Sequence, residues 1–269
     1  MSTSIKSAKM EEFVPLQQGG RVSRFLAPMM VFVLFIVIWE LLCRYFDVKE
    51  YLVPAPSRIL DAFKQHWGSL ATDTLVTSSE ALGGFMLANV ISIMVAVLFS
   101  SSSMAMRSFY PYMIALKSVP IIAIAPLLVI WFGYGPTGKV IMSAIIAFFP
   151  LVVNATLGLS RVDPDALTLM HSLSATRLEI MVKLRLPNAM PYILSALKIS
   201  SSLSVVGAIV AELTGAKQGL GFTIIMASYN IDTPLLFCAI ILASGIGITF
   251  FGLISMVEAT LGNRFSIRS

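Results

Sequence analysis

The sequence predicts an all-α integral membrane protein with about six transmembrane helices, and three observations carry that expectation. Hydrophobic residues make up 57% of the 269-residue chain and charged residues 12%, where soluble globular domains carry about a quarter charged. The mean hydropathy is +0.86. The apolar residues also gather in runs of about twenty, the length that crosses a hydrocarbon core of ~30 Å as a helix.

Residues 1–24 are polar, include Lys6, Lys9, Arg21 and Arg24, and read as a cytoplasmic tail. The apolar run behind them is too long for the h-region of a cleavable signal. A six-helix domain is expected over residues 25–262, with a short cytoplasmic tail at 263–269. Span 1 runs from Phe25 to Phe46, closed by Arg44 and Asp47, with Glu40 near the interface. Residues 47–75 read as a mixed polar connection. In it Pro54-Ala-Pro56-Ser57 is extended, with Ser57 capping a helix, and an amphipathic turn follows at Ile59, Leu60 and Phe63. Span 2 covers Ala81 to Phe99. Span 3 continues from Arg107 to Phe132, kinked at Pro111, Pro120 and Pro126, which neighbouring helices or a cavity can tolerate. Span 4 is Val140 to Leu157 and span 5 Met190 to Leu213. A re-entrant or interfacial stretch then leads to Pro234, and span 6 is Leu235 to Val257.

The long polar interruption is residues 161–193. Asp163-Pro164 is a helix start, with Asp as N-cap and Pro at the first helical position. Leu167, Met170, Leu173 and Ser174 fall on one face, and the pattern breaks at Ser174-Ala175. Thr176-Arg-Leu-Glu179 is a capping box opening a second short helix with Leu178, Met181 and Val182 on its apolar side. Pro187 lacks a backbone N–H, so this helix is expected to end near Leu186. Two short helices at an angle suit a docking element; the other reading is a cytoplasmic loop lying on lipid headgroups.

Lys and Arg set the orientation. With the N-terminus inside, the cytoplasmic segments hold eleven (Lys6, Lys9, Arg21, Arg24, Arg107, Arg161, Arg177, Lys183, Arg185, Arg264, Arg268). The outer segments hold six (Arg44, Lys49, Arg58, Lys64, Lys139, Lys217). Both termini and the 161–193 loop are therefore expected in the cytoplasm. The net charge of +5 is scattered beside apolar runs, so no nucleic-acid partner is implied.

Several features exclude other chemistry. Gly133-Tyr-Gly-Pro-Thr-Gly138-Lys139 satisfies the GxxxxGK spacing of a phosphate loop. Val140, however, stands where a magnesium-binding Ser or Thr belongs, and no strand precedes it. It reads as a turn between spans 3 and 4. Cys43 and Cys238 build no disulfide framework, and His66 and His171 stand without a metal-binding cluster. No catalytic residue and no metal site is expected, and the chain itself binds no cofactor.

Lys117 and Lys198 fall about 15 Å and 12 Å into the bilayer. A lysine at depth faces a bundle interior or cavity, snorkels to the interface, or pairs. Lys198, Ser201, Ser202 and Val205 share a helix face, and Glu212 projects close to it, so Lys117, Lys198, Ser201, Ser202 and Glu212 are the candidate lining of a passage. For Glu212, helix capping or a pair with Lys217 is the competing role. Asn89 and Asn154 lie within spans and are expected to bond between helices.

The ending Leu186-Pro187-Asn-Ala-Met-Pro191-Tyr-Ile, preceded by two short helices with a small residue at the break, resembles the EAA loop. That loop marks the permease subunits of binding-protein-dependent ABC importers. Thr168-Leu169-Met170 stands where the family has Glu-Ala-Ala, and Ser174 where it has Gly. The phrases Pro54-Ala-Pro-Ser57, Val119 to Gly135 and Gly215 to Phe222 resemble the nitrate, sulfonate, taurine and bicarbonate branch, although Glu80 replaces an Arg usual there. The resemblance implies the type I importer permease fold and a coupling helix that sits on an ATPase. Carried onto this sequence, the coupling residues are Asp165, Thr168, Leu169, Met170, Leu173, Ser174, Ala175, Arg177 and Pro187. The implied partners are a second permease subunit (a homodimer), two ATP-binding-cassette ATPases holding ATP and magnesium, and a periplasmic or lipid-anchored solute-binding protein. The implied place is a bacterial inner membrane. Members of the branch carry small anions but also neutral or aromatic molecules such as vitamin precursors, and the two intramembrane lysines favour a small organic anion such as a sulfonate, nitrate-like ion or aromatic acid. A self-contained secondary transporter and an intramembrane enzyme are the alternatives.

Overall fold

The computed structural model describes residues 21–262 and, within them, all side chains except those of 21–25, 116, 117, 261 and 262. Residues 1–20 and 263–269 of the expected tails lie outside the described residues. Two compact units divide the chain after Val48. The first contains helix α1 (Arg21–Tyr45), which begins four residues before the expected span. Its Glu40 Oε1 accepts from Arg44 Nε at 2.7 Å, one turn on.

Among its described residues the second unit is helical wherever it has regular structure. Helix α2 (Pro56–Gln65) starts one residue before the expected Ser57, because Ala55 is extended and Pro56 supplies the preset φ of a first helical residue. Ile59 and Ala62 are buried, and the Ile59 carbonyl accepts from Cys238 Sγ. Helix α3 (Trp67–Ser101) follows with His66 shared between the two ends. Most of the expected polar connection is thus helix, and α3 starts well before Ala81.

The expected third span is two helices in tandem, α4 (Ser103–Lys117) and α5 (Ile121–Phe132). Pro111 and Pro126 sit inside them, and Pro120 caps α5 in extended conformation. The break at 118–120 falls where proline cannot donate to the helix ladder. At about 1.5 Å per residue neither piece alone spans a hydrocarbon core. Gly133 (φ +73) ends α5, and Gly135-Pro136 opens α6 (Pro136–Ser160), so the phosphate-loop look-alike is a helix–helix turn.

Beyond α6 come α7 (Pro164–Ser172), α8 (Arg177–Ile180), a π-turn (Met181–Arg185) and α9 (Leu186–Leu213). The expected stop near Leu186 does not occur: helix runs unbroken from Arg177 to Leu213. Leu186 N bonds Met181 O, five residues back, so the ladder has already slipped where Pro187 brings no N–H. Helix α10 (Leu220–Tyr229) is too short to cross, and α11 (Thr233–Gly262) closes the fold. Five helices among the described residues are long and apolar enough to cross a membrane: α1, α3, α6, the Arg177–Leu213 run and α11.

Helices α3, α6 and α9 form the centre. Ala96, Leu151, Ala155, Leu159, Ala189, Ile193 and Ala196 make one buried apolar cluster. Small residues set the approach of the helices, as lipid-embedded packing requires. A Cβ on Gly207 would stand 2.6 Å from Ser143 Cα, and one on Gly84 would overlap the Ser143 side chain. Hydroxyls stitch the same contacts: Ser143 Oγ donates to Ser204 O at 2.8 Å, Ser200 Oγ to Ala147 O at 2.8 Å, and Ser92 Oγ to Phe148 O at 3.1 Å. Asn89 and Asn154 do not bond between helices as expected. Each donates to a carbonyl four residues back, Phe85 O and Pro150 O, where intrahelical geometry is always at hand.

Candidate coupling foot and translocation face

The 161–193 segment is a foot built from local rules. Asp163 Oδ1 accepts from Asp165 N at 2.9 Å and Pro164 is the first helical residue. Thr168 and Ser172 hydroxyls bond back to Pro164 O and Thr168 O. At the other end Ser174 has φ +56, Ser174 N donates to His171 O and Ala175 N to Met170 O. That pair of bonds is a Schellman ending, which satisfies carbonyls the helix would otherwise leave open. Thr176 and Glu179 then form the expected capping box, each accepting from the other's backbone.

Both helices leave large apolar side chains exposed. No residue of α7 is buried; Leu169 is 60% exposed, Leu173 69% and Leu178 72%. Asp165, Thr168, Ser174, Arg177 and Pro187 are also exposed, while Met170 and Ala175 are half-buried. On α8 only Ile180 is buried, with Met181 half-buried against the central cluster and Val182 exposed. Of the expected apolar faces, Leu173, Ser174, Leu178 and Val182 point outward, while Leu167, Met170 and Met181 are half-buried. Pro187 stands apart from the rest of the set, on the first turn of α9.

The foot is firmly carried. Asn188 Nδ2 bonds Arg161 O and Gly158 O, and Arg185 reaches the Ser100 carbonyl at the end of α3. Gly158 lets α6 meet α9 so closely that a Cβ there would sit 2.9 Å from Tyr192 Cβ. A rigid support thus presents a capped, bent, apolar tip.

The expected passage residues are divided by the structure. Lys198 Nζ pairs with Glu258 Oε2 of α11 at 2.6 Å. Ser202 lies on the wall of a cavity of about 590 Å³ between α9, α10 and α11, with Val206, Ile209, Ile224, Ile240 and Phe251 among its lining. Ser201 is buried within the subunit and bonds Lys198 O. The Lys117 side chain lies outside the described residues.

Glu212 is 1% exposed and does not pair with Lys217. It caps, but for another helix. Its Oε1 accepts from Thr77 Oγ1 at 2.7 Å and its Oε2 from Gly221 N at 2.6 Å. Thr77 Oγ1 in turn accepts from Leu220 N at 2.9 Å, and Asp73 accepts from Gly219 N at 2.8 Å and Thr223 Oγ1 at 2.6 Å. The first N–H groups of α10, the positive end of its dipole, are thus held by side chains of α3 and α9. Sequence reasoning missed this cluster. Its signal was present: Asp73, Thr77 and Glu80 recur at i, i+4 and i+7, one polar stripe on a membrane helix. Nearby, Lys139 Nζ meets Glu80 Oε1 at 2.5 Å, so the look-alike lysine is an ion-pair partner.

Residues 88–262 match the profile of the family described as binding-protein-dependent transport system inner membrane component. This chain belongs to that family. A probable ABC transporter permease protein of Haemophilus influenzae is 30% identical over 228 residues, 85% of this chain and 93% of that one. The formylaminopyrimidine transport permease protein of Halalkalibacterium halodurans is 32% identical over 237 residues, 88% and 94%. Further relatives are named for riboflavin, aliphatic sulfonate, taurine and nitrate transport. Among solved structures, the inward-facing MetNI methionine ABC transporter matches with a TM-score of 0.59 at 18% identity, covering 72% of this chain and 98% of that one. That likeness shows the fold, the type I importer permease architecture. The chain is a multi-pass permease subunit of an ABC importer, working with an ATPase and a solute-binding protein. It is not itself an enzyme; nucleotide hydrolysis belongs to the separate ATPase subunit.

Proposed function

We propose that the permease pairs with a second copy of itself to form the passage, both termini in the cytoplasm, and that the 163–185 foot seats in an ATPase groove. The exposed Leu169, Leu173 and Leu178 on a rigid support carry this reading. Apolar side chains on a capped tip suit a protein groove, whose occupation would bury them at about 1.5–3 kcal/mol each. ATP binding would draw two such feet together and swing the passage outward; hydrolysis would reset it. ATP and magnesium sit on the partner, and this chain holds no cofactor. The Lys/Arg asymmetry supports the orientation.

For the solute, the expected anion rested on the family branch, with Lys117 and Lys198 in its favour. The Glu258 carboxylate beside Lys198 cancels that positive charge, and the α9–α11 cavity is apolar. With relatives named for formylaminopyrimidine and riboflavin, a flat heteroaromatic of low charge fits better than a sulfonate or nitrate-like ion.

Proteoliposomes holding permease, its cognate ATPase and binding protein should take up solute only with ATP inside, and permease alone should take up none. Accumulation by permease alone would favour a secondary transporter. In the complete system, a heteroaromatic should compete for uptake and a sulfonate should not.

A further inference from the structure

Three carboxylates, Asp73, Glu80 and Glu212, lie buried at the end of α3 and α9 remote from the foot, with Lys139 paired to Glu80. Asp73 has a donor on each oxygen, and so does Glu212. Glu80 does not. It is 4% exposed, its Oε1 takes the Lys139 ammonium, and its buried Oε2 meets no donor. Thr77, one turn before Glu80 on the same face of α3, bonds Glu212 Oε1 at 2.7 Å and so brings the Glu212 carboxyl, itself an acceptor, beside Glu80.

Two ionised carboxyls buried side by side repel strongly, and a buried acceptor facing another acceptor forfeits its hydrogen bond. One proton resolves both. Placed on Glu80 Oε2, it turns the orphan into a donor toward Glu212 and leaves a single negative charge opposite Lys139. Among the described residues no group of three His, Cys, Asp or Glu side chains is arranged to hold a metal ion. We propose that Glu80 and Glu212 form a proton-binding site, with one proton shared between Glu80 Oε2 and the Glu212 carboxyl. The charged neighbours facing it are Asp73 on α3 and Lys139 on α6.

The site is also a latch. Glu212 grips the first turn of α10 through Gly221 N, and Thr77, beside it on α3, grips Leu220 N. The shared proton closes the link between Glu80 on α3 and Glu212 on α9. Any movement that draws the α9–α10 turn off α3 separates the two carboxyls and opens the proton to exchange.

Infrared spectra of the full-length chain in lipid nanodiscs test the assignment. The wild type should show the C=O stretch of a protonated carboxyl at neutral pH, and Glu80→Gln should lose it. Glutamine can donate to Glu212 and accept from Lys139, so Glu80→Gln should melt within about 2 °C of wild type. Glu80→Leu cannot, and Glu212→Gln loses one of the two acceptors that Thr77 and Gly221 need; both should melt several degrees lower. A wild type without the band, a band that persists in Glu80→Gln, or Glu80→Gln melting as low as Glu80→Leu would overturn the proposal. So would a melting temperature that climbs with sodium, which would make the ligand a metal cation. Should the variants not fold, the wild-type band and the sodium titration still decide.

Discussion

At Ser174 a backbone angle of +56° puts an L-residue where glycine is at ease. The strain is about 1–2 kcal/mol, so Ser174→Gly should stabilise the foot by roughly 1 kcal/mol. A raised melting temperature with unchanged ATP-driven uptake is the expected outcome. Ser174→Arg should remain in the membrane yet lose the ATPase on co-purification, because a bulky charge then stands on the exposed tip. Normal recovery of the ATPase with that variant would count against the docking site. At the helix crossing, Gly84→Val should destabilise by about 1–3 kcal/mol, since its side chain would overlap Ser143 and backbone must shift. Lys198→Met should strand Glu258 and lower the yield of folded protein. Adding Glu258→Gln should restore most of it, and a double-mutant cycle on melting temperature measures the coupling.

At the scale of elements, what could be read from sequence depended on whether local chemistry or long-range packing decides. The Asp163 cap, the Thr176–Glu179 box and the break at Ser174 are local, and each stands as its residues specify. Helix ends set by proline were not so legible. Pro120 breaks its helix while Pro111, Pro126 and Pro187 do not, because tertiary contacts and a slipped ladder can absorb a missing N–H and sequence spacing cannot show them. The partners of the passage residues were illegible for a related reason. Periodicity placed Lys198, Ser201, Ser202 and Glu212 near one face, yet Lys198, Ser202 and Glu212 bond Glu258, Gly247 and Thr77 on other helices 45 to 135 positions away. Deleting one residue of the π-turn should turn α8 by about 100° relative to α9. The expected result is a stable, membrane-inserted subunit whose ATPase still hydrolyses ATP but no longer drives uptake.

At the scale of the whole molecule, the foot and the α10 grip occupy opposite ends of one helical run from Arg177 to Leu213. Its 37 residues measure about 55 Å at 1.5 Å each. A displacement applied at Arg177 can therefore be felt at Glu212 without passing through any loop. Cross-linking the π-turn to the end of α3, between Arg185 and Ser100, should freeze uptake while leaving solute-binding-protein docking intact. Uptake that continues under the cross-link would show that the foot and the passage move independently.

The slipped ladder between Met181 and Arg185 gives that rod an unusual property. A wide turn holds one surplus residue, like a wrinkle in a carpet, and the wrinkle can migrate by exchanging one hydrogen-bond partner at a time. Each step rotates the segment it crosses without melting it. Twist at the tip can thus be taken up in the wide turn while a push along the axis still reaches the transmembrane shaft, a universal joint made from backbone alone.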